Sequence, residues 1–348
     1  MNSRPLVSVI IPVYNSESYL RECLHSIVNQ TYDNIEVLVL DDGSKDSSVS
    51  IVQSFSDKRI QLFVTPKNSG IVFQLNKGLS LSRGKYIARM DSDDIACLTR
   101  LEKQVDFMES NLEIGVCGTW LETFGNGYPE KWELPLTHEE ISTRMFFGNC
   151  LFHPTVILRA NSFDCYYSDN YLYAEDYELW TRLQANGVRF ANIPDYLLKY
   201  RLHGQQTSAA SRAVQQKSAE KILARQLSRI NCCNPRAMKF HKVLNDQEIE
   251  NDLFLEFTSW LNKIITNNHI LRVFPEDILR ESIFKVWREL SIKHISSVKG
   301  LLAFNSSILK WQLSSSERCR MVYTGVKNLI LSSYRRTKYS KFYLGRPS

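Results

Sequence analysis

Short apolar runs, each closed by a polar cluster, alternate with segments of helical spacing over the first hundred residues. The runs VSVIIPV, IEVLVL (35–40), IQLFV (60–64) and KYIARM (85–90) are dominated by β-branched or large apolar residues, which predicts strands. Between them, 17–30, 46–56 and 70–82 space apolar residues as a helix does, for example at Leu20, Leu24, Ile27 and Val28. Strands alternating with crossover helices predict an α/β fold: a mostly parallel sheet flanked by helices, with ligands bound at the carboxyl ends of the strands. The polar clusters fall at those ends, PVYN (12–15) after the first strand, DDGSKD (41–46) after the second and DSDD (91–94) after the fourth. A fifth strand is expected at IGVCGTW (114–120), and FHPTVILR (152–159) reads as a strand with a polar entry. From about residue 210 the pattern turns helical. In IENDLFLEFTSWLNKII, Ile249, Leu253, Phe257, Trp260, Leu261 and Ile264 make one apolar face.

Composition adds a boundary. The chain has 348 residues, 43% apolar and 23% charged, which suits a globular protein of two domains. Residues 1–205 carry a net charge of −7 and residues 206–348 one of +13, so the two parts face different partners, the second part an anionic one. We expect a domain over 1–208 and a basic helical module over 209–348. The first apolar run is too short for a signal peptide and is broken by Pro12. No apolar run reaches the roughly eighteen residues of a bilayer span. Eight cysteines without a CxxC or a zinc spacing point to a reducing, cytoplasmic compartment.

The candidate chemistry lies in the carboxylates. Neither GxGxxG nor GxxxxGK[ST] occurs, so a diphosphate here is not held by a glycine-rich cradle. Asp91, Asp93 and Asp94 fall within four positions, and carboxylates this close raise one another's pKa unless a cation neutralises them. Magnesium or manganese, which take hard oxygen ligands, would suit them and complete their shell with phosphate oxygens. Each cluster alone also has a plain reading. Asp94 or an aspartate before it could cap a helix beginning near Leu98, and DDGS could be a turn in which Ser44 or Asp46 caps the next helix. Their recurrence at successive strand ends favours a ligand site.

In order and spacing, VSVIIPVYN, DDGSKD, NSGIVFQLNKG, GKYIARMDSDD and AEDYELWTRL resemble the inverting nucleotide-sugar glycosyltransferases of family 2, over about residues 6–208. Within that family the chain resembles those of bacterial surface polysaccharide (O-antigen, capsule) synthesis. The resemblance implies a GT-A fold that binds a UDP-sugar through a divalent metal, Mn2+ or Mg2+. It implies that the backbone of Pro12 and Val13 lines the base and that Asp42 bonds the uracil or its ribose. Asn68 and Gly70 would shape the diphosphate side, Asp91 would hold the ribose or a metal-bound water, and Asp93 would ligate the metal. The run Ser69-Gly70-Ile71-Val72-Phe73 is bulkier than is usual in the family.

On the acceptor side, CYYSDNYLYAED carries Tyr166, Tyr167, Tyr171 and Tyr173, with Tyr177 following, rings able to stack on a sugar or simply to pack. Glu175 and Asp176 open a helix with apolar Tyr177, Leu179, Trp180 and Leu183. Carboxylates there stabilise a helix dipole by about 0.3–1 kcal/mol without catalysing anything. The resemblance places the catalytic base in this pair: Asp176 as base, Glu175 as its orienting or acceptor-binding neighbour. In KYRLHGQQTS (199–208), His203, between Arg201 and the Gly-Gln-Gln stretch, is expected to give a further metal or diphosphate contact.

From Arg318 to Ser348 there are eight Lys+Arg and no acidic residue, interleaved with Tyr334, Tyr339, Phe342, Tyr343 and Leu344. Without a helix-turn-helix, zinc-finger or RNA-binding motif, nucleic acid is not the expected partner. An anionic membrane surface and a lipid-diphosphate-linked saccharide acceptor are, at the cytoplasmic face of the inner membrane. A solvated tail or a helical cap is the plain alternative. The expected activity is transfer of a hexose, galactose first and N-acetylglucosamine second, from a UDP-sugar. The alternatives are a sugar-nucleotide pyrophosphorylase and a non-catalytic membrane-surface protein.

Overall fold

The computed structural model describes residues 4–160, 164, 166–204 and 212–343, with side chains for all of these but Arg212 and 332–343. The chain forms two compact units, Met1–Ile222 and Leu223–Ser348.

The first unit is built on one sheet. Its strands are β1 (Val7–Val13), β2 (Ile35–Asp41), β3 (Ile60–Val64), β4 (Tyr86–Arg89), β5 (Ile95–Ala96), β6 (Ile114–Gly125), β7 (Lys131–Trp132), β8 (Ile157–Arg159) and β9 (Arg189–Leu202). They lie in the order β3-β2-β1-β4-β8-β6-β9-β5, with β7 on β6. The pairs β2–β3, β1–β2, β1–β4 and β6–β9 are parallel, whereas β8 runs antiparallel between β4 and β6. Strand periodicity puts alternate residues on opposite faces. Val7, Val9 and Ile11 of β1 with Val37 and Val39 of β2 pack on one face, and Ile10 with Leu38 and Leu40 on the other. Helices α1 (Leu20–Val28), α2 (Ser48–Gln53) and α4 (Arg100–Ser110) cover the first face through Leu24, Ile27, Val52, Leu101 and Val105. Helices α3 (Ile71–Leu81), α5 (His138–Arg144) and α6 (Glu175–Ala185) cover the second through Leu75, Ile141, Leu179 and Trp180.

Two features depart from the sequence reading. The run 152–159 is a strand only from Ile157, because His153–Thr155 forms a 3-10 turn with Pro154 inside it; proline lacks the N–H a ladder needs. The fourteen-residue β9 has no counterpart in the sequence reading, since Pro194 interrupts its pattern. Its register on β6 jumps from Thr119↔Ile193 to Trp120↔Tyr196, so Pro194 and Asp195 bulge out and the strand continues past them.

Helix α7 (Arg212–Arg229) runs from the first unit into the second, which continues with α8 (Ala237–Asp246), α9 (Phe254–Leu271), α10 (Glu276–His294), α11 (Val298–Ser306) and α12 (Ser315–Tyr343). On α9 the expected face buries Phe257, Trp260, Leu261 and Ile264, while Leu253 and Ile249, ahead of the helix, are half-buried. Among the described residues no helix is long and apolar enough to cross a membrane. Residues 205–208 of KYRLHGQQTS and Leu344 lie outside the described residues, as do the side chains of Tyr334, Tyr339, Phe342 and Tyr343.

Candidate active site

The ends of β1, β2 and β4 meet at a cavity of about 760 Å³ in the first unit. Pro12, Val13, Asp42, Asn68, Gly70, Asp91, Asp93, Glu175, Asp176 and His203, the candidates from the sequence, all line it.

The loops after β1 and β2 are stitched to each other. Asn15, at φ 48°, takes the N–H of Lys45 on its Oδ1 at 2.8 Å, and its own N–H bonds Ser44 Oγ at 2.9 Å. Asp46 accepts from Glu17 N at 2.9 Å and from Ser48 N at 3.0 Å. Ser44 therefore bridges the loops and does not cap α2, whereas Asp46 does both, its Oδ1 taking the N–H of Ser48, the first residue of that helix. Asp42 is buried, and it holds the next segment: its Oδ1 takes Ser69 N at 2.8 Å and Gln74 Nε2 at 2.7 Å, and its Oδ2 takes Gly70 N at 2.8 Å. Gly70, at φ 91°, occupies a conformation that favours glycine, which lets the chain turn into α3 directly over that carboxylate.

After β4 the three aspartates converge, and one carboxylate oxygen from each lies within 4.8 Å of the others. The buried Arg89 pairs with Asp91 through its Nη1 and Nη2, and Arg100 Nη2 donates to the carbonyl of Arg89 at 2.8 Å. Asp93 Oδ2 meets His203 Nε2 at 2.8 Å, and the His203 ring packs on Tyr19 with centroids 4.9 Å apart. Asp94 is fully buried and accepts the backbone N–H of Arg201 at 2.8 Å, while Arg201 Nε holds the Asp93 carbonyl at 2.8 Å. Asp94 is thus not a helix cap: α4 begins at Arg100 with Thr99 in the cap position, and the aspartate's job is to anchor the end of β9. Burial pushes Asp91 up despite Arg89, and burial with the charges of Asp91 and Asp93 pushes Asp94 well above the carboxylate range. Asp94 Oδ2 has no hydrogen-bond partner among the described residues. Clustered oxygens, mutual repulsion and an orphaned buried acceptor fit a hard divalent cation. Asp91, Asp93 and Asp94 could hold it, with His203 beside them through Asp93.

At the other side of the cavity stand the carboxylates that open α6. Asp176 Oδ1 accepts from Tyr177 N and Oδ2 from Asn149 Nδ2, both at 2.7 Å. Burial raises its pKa against those bonds. Glu175 is buried, its Oε2 has no partner among the described residues, and burial together with the Asp176 charge lifts it to about 7. Just before the pair, Tyr173 sits at φ 61°, a strained setting for an aromatic residue, and it also lines the cavity. The sequence reading counted Asp94 in the cluster but gave it no role in the site, and it missed Arg89 and Asn149. Arg89 could have been suspected as the one charge inside an apolar strand, whereas nothing local marks Asn149.

The state of Glu175 carries a stability prediction. A carboxyl raised from 4.5 to about 7 keeps in the folded state a proton that the unfolded chain has already released across that window. Stability therefore falls as pH rises from about 4.5 to 7, by up to roughly 3 kcal/mol. Glu175→Gln is expected to be more stable than wild type at about pH 8 and equal to it near pH 4, measured by urea unfolding. A difference independent of pH would show that Glu175 ionises normally.

A carboxylate-rich cavity thus stands at the carboxyl ends of the parallel strands of a mixed sheet, as in an enzyme that acts on a nucleotide-linked substrate. Glycosyl transferase family 2 matches residues 8–166. An uncharacterized glycosyltransferase of Haemophilus influenzae is 41% identical over 237 residues, 64% of this chain and 73% of that one. The amylovoran biosynthesis glycosyltransferase AmsE of Erwinia amylovora is 34% identical over 202 residues, 56% of this chain and 76% of AmsE. The chain belongs to glycosyltransferase family 2. Among solved structures, S. aureus TarS 1-349 in complex with UDP-GlcNAc shares the fold at a TM-score of 0.53 and 19% identity, over 95% of this chain and 92% of that one. The mannosyltransferase PcManGT from Pyrobaculum calidifontis, in complex with GDP-Man and Mn2+, does so at 0.51 and 16%, over 99% of this chain and 86% of that one.

Proposed function

We propose that the protein is an inverting, metal-dependent hexosyltransferase that moves a hexose from a UDP-sugar to a lipid-diphosphate-linked saccharide in bacterial surface polysaccharide synthesis. Galactose is the first choice of sugar and N-acetylglucosamine the second. The observation that carries this reading is the convergence of the loop carboxylates and the α6 pair on one cavity. The similarity to AmsE, an enzyme of amylovoran biosynthesis, supports a role in glycan assembly.

In this reading the backbone of Pro12 and Val13 flanks the base. Asp42 already accepts three hydrogen bonds, and an ionised carboxylate has about four lone-pair sites, so one remains for a uracil N–H or a ribose hydroxyl. Asn68 and Gly70 border the diphosphate, and Asp91 the ribose. A divalent cation on the aspartate cluster, Mn2+ or Mg2+, would neutralise charge developing on the diphosphate. The acceptor oxygen attacks the anomeric carbon from the face opposite UDP. Its proton passes to Asp176 while the bond to the diphosphate oxygen breaks and UDP leaves with the electron pair. Asp176 is assigned as the base because the N–H donors of Tyr177 and Asn149 work against the burial that raises its pKa and so hold a carboxylate ready to take the proton. Glu175, lifted to about 7 in its buried site, keeps a proton over much of the neutral range.

The test is to incubate the protein with Mn2+, a lipid-diphosphate-sugar acceptor and a panel of UDP-sugars plus GDP-mannose, and to determine the product linkage by mass spectrometry and NMR. Release of UDP with an inverted linkage supports the reading. Release of pyrophosphate would point to a pyrophosphorylase, and no turnover with any donor to a binding protein.

The module 209–348 is assigned to the membrane surface. On α12, Arg320, Tyr323, Lys327 and Ile330 are exposed, a mix of cationic, aromatic and apolar groups suited to an anionic interface. Each basic side chain near such a surface contributes about 1 kcal/mol. Sedimentation with anionic liposomes should fall on removal of 318–348, and should weaken for the full chain near 1 M salt, where the Debye length is about 3 Å. Unchanged sedimentation of the truncated protein would place the contact elsewhere.

A further inference from the structure

The cavity has an apolar wall that none of the assigned roles uses. Trp132, Phe152 and Tyr200 are partly buried, pack on the core below them and line the cavity. The Trp132 ring lies 6.2 Å from Phe152 and 5.9 Å from Tyr200 between centroids. We propose that Trp132, with Phe152 and Tyr200, forms the platform on which the acceptor's terminal sugar ring stacks beside Asp176. The inference rests on the glycosyltransfer reading above and deepens it.

Trp132 is held in place by its surroundings. It sits on the two-residue strand β7, in register opposite Leu121 of β6. The hairpin is closed by Thr123 N on the Glu130 carbonyl and by Glu130 N on Thr123 Oγ1, each at 2.8 Å. The indole N–H, the ring's one polar group, is taken by Glu130 Oε2 at 2.9 Å, so a ligand over the indole face meets carbon. A sugar ring matches such a wall, because it presents C–H groups on its faces and hydroxyls around its rim. The polar rim lies close at hand. Asn149 bonds Asp176, and Phe152 follows three residues later on the same segment. Three residues reach at most about 11 Å, which puts the aromatic wall within one or two sugar rings of the base. Tyr200 links the wall to the other side of the chemistry, since the next residue, Arg201, clamps Asp93 and Asp94. A ring on this platform therefore lies between the carboxylate cluster and Asp176, where an attacking hydroxyl belongs. A lipid tail would find the carbon surface but not the carboxylate and amide beside it.

The test uses the full chain. Saturation-transfer NMR would be recorded with a panel of methyl glycosides (galactoside, glucoside, N-acetylglucosaminide, mannoside and rhamnoside), with and without UDP and Mn2+. UDP binding would be measured separately by calorimetry. Wild type is expected to saturate the ring protons of at least one glycoside, and Trp132→Ala to bind it about tenfold more weakly. Trp132→Tyr is expected to keep most of that binding, and UDP affinity to stay within about twofold in both variants, which also reports that they fold. Equal glycoside binding by Trp132→Ala and wild type, or no glycoside binding by a wild type that binds UDP, would overturn the platform. If wild type binds a glycoside through Trp132 yet never binds UDP, the donor assignment fails and the platform stands.

Discussion

Asp93→Ala is expected to abolish transfer and to remove the metal-dependent part of UDP affinity together. Its Oδ2 faces His203 Nε2 at 2.8 Å, and it shares a carboxylate cluster of 4.8 Å span with Asp91 and Asp94. A divalent cation stabilises a departing diphosphate by several kcal/mol, so the loss should be roughly 10³-fold or more. Chelation of wild type should produce the same loss, and added Mn2+ should restore wild type but not the variant. The variant also removes one partner of His203, so His203→Ala is the control. If the histidine acts only by orienting Asp93, that substitution should weaken metal response far less than Asp93→Ala. Full transfer in excess chelator, or UDP affinity in Asp93→Ala that still rises with Mn2+, would remove Asp93 from the metal site.

The parallel half of the sheet was legible because its pattern is strong. In β1 and β2 alternate positions enter opposite cores, and both faces are covered, so the runs read as continuous apolar strands. Other features depend on tertiary structure and leave no local trace. Strand β9 carries Pro194 at a bulge, which reads as a break until β6 is seen to skip it. Strand β7 is two residues long and is defined only by its partner. In the site, the clustering of Asp91, Asp93 and Asp94 was plain from spacing, but Asp94 looked like a helix cap because its partner, Arg201, lies 107 residues away. Separation in sequence likewise hid Asn149 from Asp176, 27 residues on, and Trp132 from Tyr200. Residues that supply charge were readable, whereas residues that aim those charges were not.

Asp176→Asn is expected to lower kcat by roughly 10²-fold or more while leaving UDP affinity nearly unchanged. A base acts on the acceptor's proton as the new bond forms, so its removal affects the transition state and not the ground-state complex with donor. The geometry makes asparagine a conservative replacement. Its side-chain oxygen can keep the N–H of Tyr177, held at 2.7 Å in the native protein, while proton acceptance is lost. Asn149 would then face an amide where it now donates to Asp176 Oδ2, also at 2.7 Å; turning its own amide to match would give up the Leu151 N–H that its Oδ1 takes at 3.2 Å, a small ground-state cost beside the loss of the base. Glu175→Gln separates the two members of the pair. Glu175, lifted to about 7, is partly protonated at neutral pH, so neutralising it should cost much less in kcat, and its effect should shrink as pH falls below about 6. Asp176→Asn should be impaired across the whole range. If instead Glu175→Gln is inactive and Asp176→Asn turns over, the proton goes to Glu175 Oε2, the buried oxygen without a partner among the described residues. Asp176 would then be the neighbour whose charge raises the true base.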